Sequence, residues 1–292
     1  MNKQTYTTFN NKCSCYTLTF SEAVENHAKM EIIGQKATKG FSSEWCVEMG
    51  VKHGGEIYNL STTPTEPEAI VVVFRNGLER LMGINPQDAY REQEVLEKDS
   101  KAFMYGRVVN KKARHNLCFA DWDQSPDYEN KKGTIVSFAG GKIPLLAQAR
   151  QELYKLFGEP CKELYAEGNY YYDVSKCYIG FHGDSERKKV VGIRLGSDFP
   201  LHFRWYNRGS ARPTIQTINL KSGDIYIFSE KATGNDWKHR SIHNTVRHAA
   251  GDLVHLLDST EYKLKAYKQV VLDKSISQHN DIEIEITISI EI

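Results

Sequence analysis

The chain has 292 residues, enough to bury a substantial core without help from disulfides or a structural metal. Its 38 Lys and Arg against 37 Asp and Glu leave a net charge of +1, which excludes the strongly basic footprint of a dedicated nucleic-acid-coating protein but not a local basic patch. The six cysteines show no CxxC spacing, and no apolar run approaches the roughly 18 residues of a membrane span, so reduced thiols, no membrane contact and a soluble intracellular setting are expected.

In chain order, Ser21 to Lys36 offers an N-cap serine and apolar residues at helical spacing, which predicts an amphipathic helix. Ser61 to Glu68, rich in Thr, Pro and Glu, reads as a loop, and the β-branched run Ala69 to Phe74 as a buried strand. Asn85 to Lys98 reads as a polar helix opened by Pro86. Residues 101–134 mix aromatic and basic side chains around Pro126 and Gly133 and read as irregular; Pro144 to Phe157 reads as a second amphipathic helix.

Beyond Glu163 the pattern becomes short strands over about 163–172, 176–182, 189–196, 200–206, 214–220, 224–229, 241–248 and 252–257, which suits a jelly roll or a closed barrel. The tail from Asp281 to Ile292 alternates isoleucine with polar residues, as a half-buried edge strand does. The expected fold class is a mixed α/β N-terminal half over 1–160, carrying substrate-recognition loops, then an all-β core over 161–272 and a C-terminal edge strand over 273–292.

His182-Gly-Asp184 ends one of the predicted strands. Two histidines and one carboxylate on one face of a metal leave adjacent positions open, the arrangement of non-haem iron oxygenases. A lone His-x-Asp arises by chance, and His279-Asn-Asp281 is a second copy; with no histidine beyond it, it reads as a decoy. The first copy is followed, several strands later, by the histidine-rich run Trp237 to His248. If 241–248 is extended, Ile242, Asn244, Val246 and His248 share one face while His243, Thr245 and Arg247 share the other. The apolar face should point inward, which favours His248 as third ligand and leaves His239 as its rival. The plain alternative is a surface hydrogen-bonding pair of His182 and Asp184.

HGDSER, followed by GIRLG and then HFRW, resembles the AlkB-type oxygenases. The chain is closer still to a branch found in large DNA viruses, whose motifs are similar to Val24–Met30, Arg75–Gly77, Ala113–Phe119, Asn169–Asp173, Gly180–Arg187, Ser229–Lys238 and Val246–Gly251 here. The resemblance implies a double-stranded β-helix (jelly roll), ferrous iron, 2-oxoglutarate and dioxygen, and hydroxylation or oxidative demethylation of a substrate. It implies His182, Asp184 and His248 as the catalytic metal ligands, since the histidine of RHAAG recurs whereas the position of His239 usually holds another basic residue. Asn169 and Tyr171 match an Asn-x-Tyr that holds the oxoacid.

One departure concerns the arginine that in AlkB enzymes grips the distal carboxylate of 2-oxoglutarate from beyond the last histidine. No arginine follows Arg247 here, so Arg194 is the preferred substitute, with Lys263 and Lys265 as others. Arg194 alternates with Ile193 and Leu195, and a guanidinium on an inner face needs a carboxylate, from cosubstrate or from an internal Asp or Glu. For the substrate, Arg187 and Lys188 beside the metal motif and Arg114 near Trp122 suggest a grip on single-stranded or damaged nucleic acid, with a flipped base stacked on an aromatic ring. A hydroxylase of a protein side chain or small metabolite, and an inactive metal- or nucleic-acid-binding module, are the other two readings. A viral chain would act in the cytoplasm or nucleus of its host cell.

Overall fold

The computed structural model describes residues 13–239 and 244–258. In chain order the elements are β1 (Cys15–Ser21), β2 (Ala23–Glu25), β3 (Ile32–Gly34), α1 (Ser43–His53), β4 (Glu56–Asn59), β5 (Ile70–Phe74), α2 (Gly77–Met82), α3 (Pro86–Glu94), β6 (Lys101–Met104), β7 (Arg107–Asn110), β8 (His115–Ala120), β9 (Ile135–Ser137), α4 (Pro144–Phe157), β10 (Tyr165–Tyr171), β11 (Ile179–His182), β12 (Val190–Gly196), β13 (Leu201–Asn207), β14 (Ser210–Ile218), β15 (Ile225–Phe228), β16 (Asn244–Ala250) and α5 (Leu253–Asp258).

Two open sheets hold most of the strands: one of eight, in the order β4-β5-β15-β12-β1-β10-β8-β9, and one of four, β11-β16-β13-β14. Neither closes into a barrel. The pairs β13·β14, β12·β15 and β11·β16 nest inside one another, all antiparallel, as when one long hairpin is folded over. The nest leaves β10 needing a partner, and β1, from the other end of the chain, supplies it by lying between β10 and β12.

Period-two alternation gives the large sheet its two faces. Tyr16, Leu18 and Phe20 of β1, Ile193 and Leu195 of β12, and Ile225 and Ile227 of β15 turn to one side. There they meet Met49, Leu78, Ala89, Leu153 and Phe157 of the four helices that cover it. The opposite side meets the small sheet. Val71, Val73, Tyr226 and Phe228 pack there against Phe203, Trp205 and Val246. Burying aromatic side chains of this size contributes about 1.5–3 kcal/mol each. In the middle of that inner face, however, the large sheet presents polar groups, and the two sheets part around a cavity of about 360 Å³.

Several expectations are corrected. Ser21 to Lys36 is no helix: Ser21 ends β1, and β2 and β3 form a hairpin that buries Val24 and Ile33 against Cys118 and Ile135. Helical spacing and β-hairpin alternation coincide over so short an apolar set. Residues 101–134 are not irregular but include β6, β7 and β8. The strand expected over 252–257 is replaced by α5 (Leu253–Asp258). The eight-stranded sheet takes strands from both sides of residue 160, so the N-terminal half and the β core share one sheet. The tail strand over 273–292, Lys263, Lys265, His279 and Asp281, and His243 lie outside the described residues. Among the described residues, no helix is long and apolar enough to cross a membrane.

Candidate metal centre

β11 and β16 are neighbours in the small sheet, and their register sets His182 directly opposite His248. Side chains opposite one another across two strands point to the same face, and here the ring centroids are 4.4 Å apart. Asp184, two residues beyond His182, turns back so that its Oδ1 lies 3.7 Å from His182 Nε2 and 3.6 Å from His248 Nε2. One ligand atom from each of the three lies within 4.8 Å of the others. His182 Nδ1 is 2.8 Å from the Gly180 carbonyl, which fixes the tautomer and leaves Nε2 free for a metal.

His239 is absent from this group; it is exposed, in the turn after Trp237. The group takes in His248, whose strand neighbour Val246 lies in the core between the sheets.

The return of Asp184 depends on a neighbour. Its amide donates to the Thr233 carbonyl at 3.0 Å, and Trp237 Nε1 donates to Ser185 Oγ at 2.9 Å, so Ser229–Lys238 clamps Gly180–Arg187. Gly183 permits the approach, because a Cβ there would overlap the Gly234 carbonyl. These are two of the motifs singled out in the sequence, and the structure joins them.

The electrostatics favour metal binding in the ionisation states a metal needs. Burial, and then the neighbouring His248, push His182 down to about 3, keeping the ring neutral. Burial alone would raise Asp184, but Arg187 first, and then the contact with His248, outweigh it and hold the carboxyl well below the usual range.

Arg187 is the main corrected placement. Instead of reaching outward toward a nucleic acid, it is 3 % exposed and bridges Glu167 at 2.8 Å and Glu186 at 2.6 Å, with Nε 3.7 Å from Asp184. A guanidinium among three carboxylates serves to hold them, and one of them is the candidate ligand. Lys188 is likewise engaged, with Glu230 and the Thr38 carbonyl each 2.8 Å from its Nζ. Trp122 is half exposed and edge-on to Tyr165, and does not line the cavity. Arg114 does line it, but its Nε is spent on Asn169 Oδ1 at 2.6 Å.

Opposite the metal group, the inner face of the large sheet carries a cross-strand row: Asn116 on β8, Asn169 on β10, Thr17 on β1 and Arg194 on β12, each paired in register with the next. Asn116 donates to Asn169 at 2.8 Å, and Arg194 donates to Thr17 Oγ1 at 2.7 Å and to Cys15 Sγ at 3.2 Å. Arg194 has no exposed surface, and no carboxylate reaches it among the described residues; its Nε and the other terminal nitrogen are buried without a partner. Tyr171, buried and packed on Phe199, lines the same cavity. Glu167 and Asn116 escaped notice in the sequence, although alternation along YAEGNYY sets Glu167 on one face with Asn169 and Tyr171.

Two facing sheets hold a His-Asp-His group between them. No family model matches the chain. It is 45% identical over 248 residues to an uncharacterized protein of Acanthamoeba polyphaga mimivirus, covering 80% of this chain and 94% of that one, and it belongs to the same family.

Proposed function

We propose that the protein is an iron(II)- and 2-oxoglutarate-dependent oxygenase of the AlkB type on a double-stranded β-helix. The nested strand pairs, with two sheets face to face, support the jelly-roll part of this reading. His182, Asp184 and His248 would hold the iron, and their donor set suits a non-haem ferrous ion with positions left for other ligands.

The observation that carries the cosubstrate is Arg194. Two buried guanidinium nitrogens without acceptors are costly, about 1–3 kcal/mol each, and a native protein rarely leaves them so. They lie in the wall of the cavity that holds the candidate ligands. A planar fork of donors suits a carboxylate, and Thr17 and Cys15 hold the fork in place from β1. Asn169 and Tyr171 complete the oxoacid side of the cavity.

Iron with 2-oxoglutarate and dioxygen supplies the oxidation of a substrate C–H bond; on an N-methyl group the outcome is demethylation. The chain's own part is to keep His182 neutral and Asp184 ionised, to bind the oxoacid, and to shelter the site between the sheets. A nucleobase in DNA or RNA, a protein side chain and a small metabolite are the substrate classes for this chemistry. The internal engagement of Arg187 and Lys188 removes two groups on which the nucleic-acid class relied. An inactive binding module is the reading that holds if turnover is absent.

The test is anaerobic. Protein loaded with ferrous iron should develop a weak visible charge-transfer band when 2-oxoglutarate is added, and His182→Ala and Asp184→Ala should not, whereas His239→Ala and His279→Ala should. No band in the parent protein, or equal loss in all four variants, would overturn the site.

A further inference from the structure

The cavity is chemically two-sided. One end of the cross-strand row presents donors without acceptors, at Arg194; the other presents acceptors without donors. Asn116, 2 % exposed, lines the cavity and has its Oδ1 buried with no partner. Glu25, at the end of β2, lines the same cavity with its backbone amide 3.4 Å from Glu167 Oε2, and neither a hydrogen bond nor an ion pair meets its carboxylate among the described residues. Glu167 and Glu186 already share the single guanidinium of Arg187. Arg114 stands at the same end, committed to Asn169. Lys188 faces away to Glu230 and the Thr38 carbonyl.

We infer that the Glu25–Asn116 end of the cavity binds an organic cation bearing N–H donors, a guanidinium or ammonium group on an extended chain, and that the substrate is of this class. This rests on the oxygenase reading for the word substrate, but not for the binding itself. An anion placed there would face the carboxylates of Glu25, Glu167 and Glu186 against two guanidinium groups, that of Arg187, already shared by Glu167 and Glu186, and that of Arg114, whose Nε is on Asn169. A neutral apolar group would leave Asn116 Oδ1 and the Glu25 carboxylate unsatisfied, at a cost of about 1–3 kcal/mol for each buried acceptor. A donor-rich cation answers both, and a planar guanidinium can meet two acceptors at once. Consistent with a missing counter-charge, burial first, and then Glu186 and Glu167, push the Glu25 carboxyl up to about 8.

The test uses metal-free protein, so that failure of the iron site and failure of this site are separate results. Saturation-transfer NMR and calorimetry at pH 8.5 would compare propylguanidinium, propylammonium, propionate and propanol, together with a single-stranded oligonucleotide. Saturable binding of one or both cations, with none of propionate or propanol, is expected, and the stronger cation identifies the head group. Glu25→Gln should weaken that binding about tenfold or more, the scale of one charged hydrogen bond. Since Glu25 ends a strand and is only half buried, the isosteric variant should fold, which circular dichroism checks. Cation binding that propionate or propanol matches, cation binding indifferent to Glu25, or oligonucleotide binding without any response to the cations would each overturn the inference. The wild-type comparison alone decides it if the variant fails to fold.

Discussion

Arg194→Met separates a structural arginine from a ligand-binding one, because the two roles give opposite signs. In the protein without cosubstrate, the guanidinium has two buried nitrogens lacking partners. At about 1–3 kcal/mol for each unmet donor, offset by about 1 kcal/mol for the lost bond to Thr17, methionine should leave the protein more stable by about 1–5 kcal/mol. For a chain of this size that is a rise in Tm of about 2–4 °C per kcal/mol. The cosubstrate should respond the other way. Two charge-assisted bonds to a carboxylate, at about 1.5–3 kcal/mol each, correspond to a loss of roughly a hundredfold to ten-thousandfold in 2-oxoglutarate affinity. Calorimetric titration with manganese in place of iron, free of turnover, measures the second quantity. Scanning calorimetry measures the first, and should also show 2-oxoglutarate at ~100 times its Kd stabilising the parent by about 2.7 kcal/mol and the variant by almost nothing. A variant that is less stable and binds 2-oxoglutarate as tightly as the parent would refute the reasoning and return Arg194 to the scaffold.

Arg187→Lys keeps the charge but loses the fork that spans Glu167 and Glu186, so manganese affinity should fall about tenfold or more, as for other groups behind a metal ligand, while cosubstrate affinity at saturating metal changes little. Unchanged manganese titrations would remove Arg187 from the site. The Glu25 carboxyl, raised to about 8 from an unfolded value near ~4.3, holds its proton in the fold where the unfolded chain has released it. Its contribution is therefore complete below pH ~4.3 and is lost as pH rises through 8. Urea unfolding at pH 5 and pH 8 should show the parent losing more stability across that interval than Glu25→Gln; parallel changes would exclude Glu25 as the group responsible.

The centre was legible where local pattern suffices. Alternation along the strand before Gly251 favours His248 over His243 and leaves His239 as its rival, and the register of β11 with β16 sets His248 opposite His182. The inward face of VVGIRLG likewise follows from period two, and among the described residues no acid reaches Arg194. What failed was whatever depends on burial of charge or on distant pairing. A run such as Glu186-Arg187-Lys188-Lys189 looks like solvated surface, and nothing local distinguishes Arg187, enclosed by carboxylates from β10 and its own loop, from its neighbours. CYTLTFS has the composition of a strand but shows nothing of its partners, more than 140 residues later.

That placement of β1 has a consequence for how the chain comes to be folded. The first described strand leaves the ribosome long before β10 and β12, the strands between which it lies. With all seven of its residues buried in the finished sheet, it must wait with both edges open. Loop closure over such a span is slow. Thr17 and Cys15 travel on that strand, so the groups that seat Arg194 arrive first in synthesis and last in assembly. A permuted chain in which β1 follows β16 should therefore refold faster than the natural order.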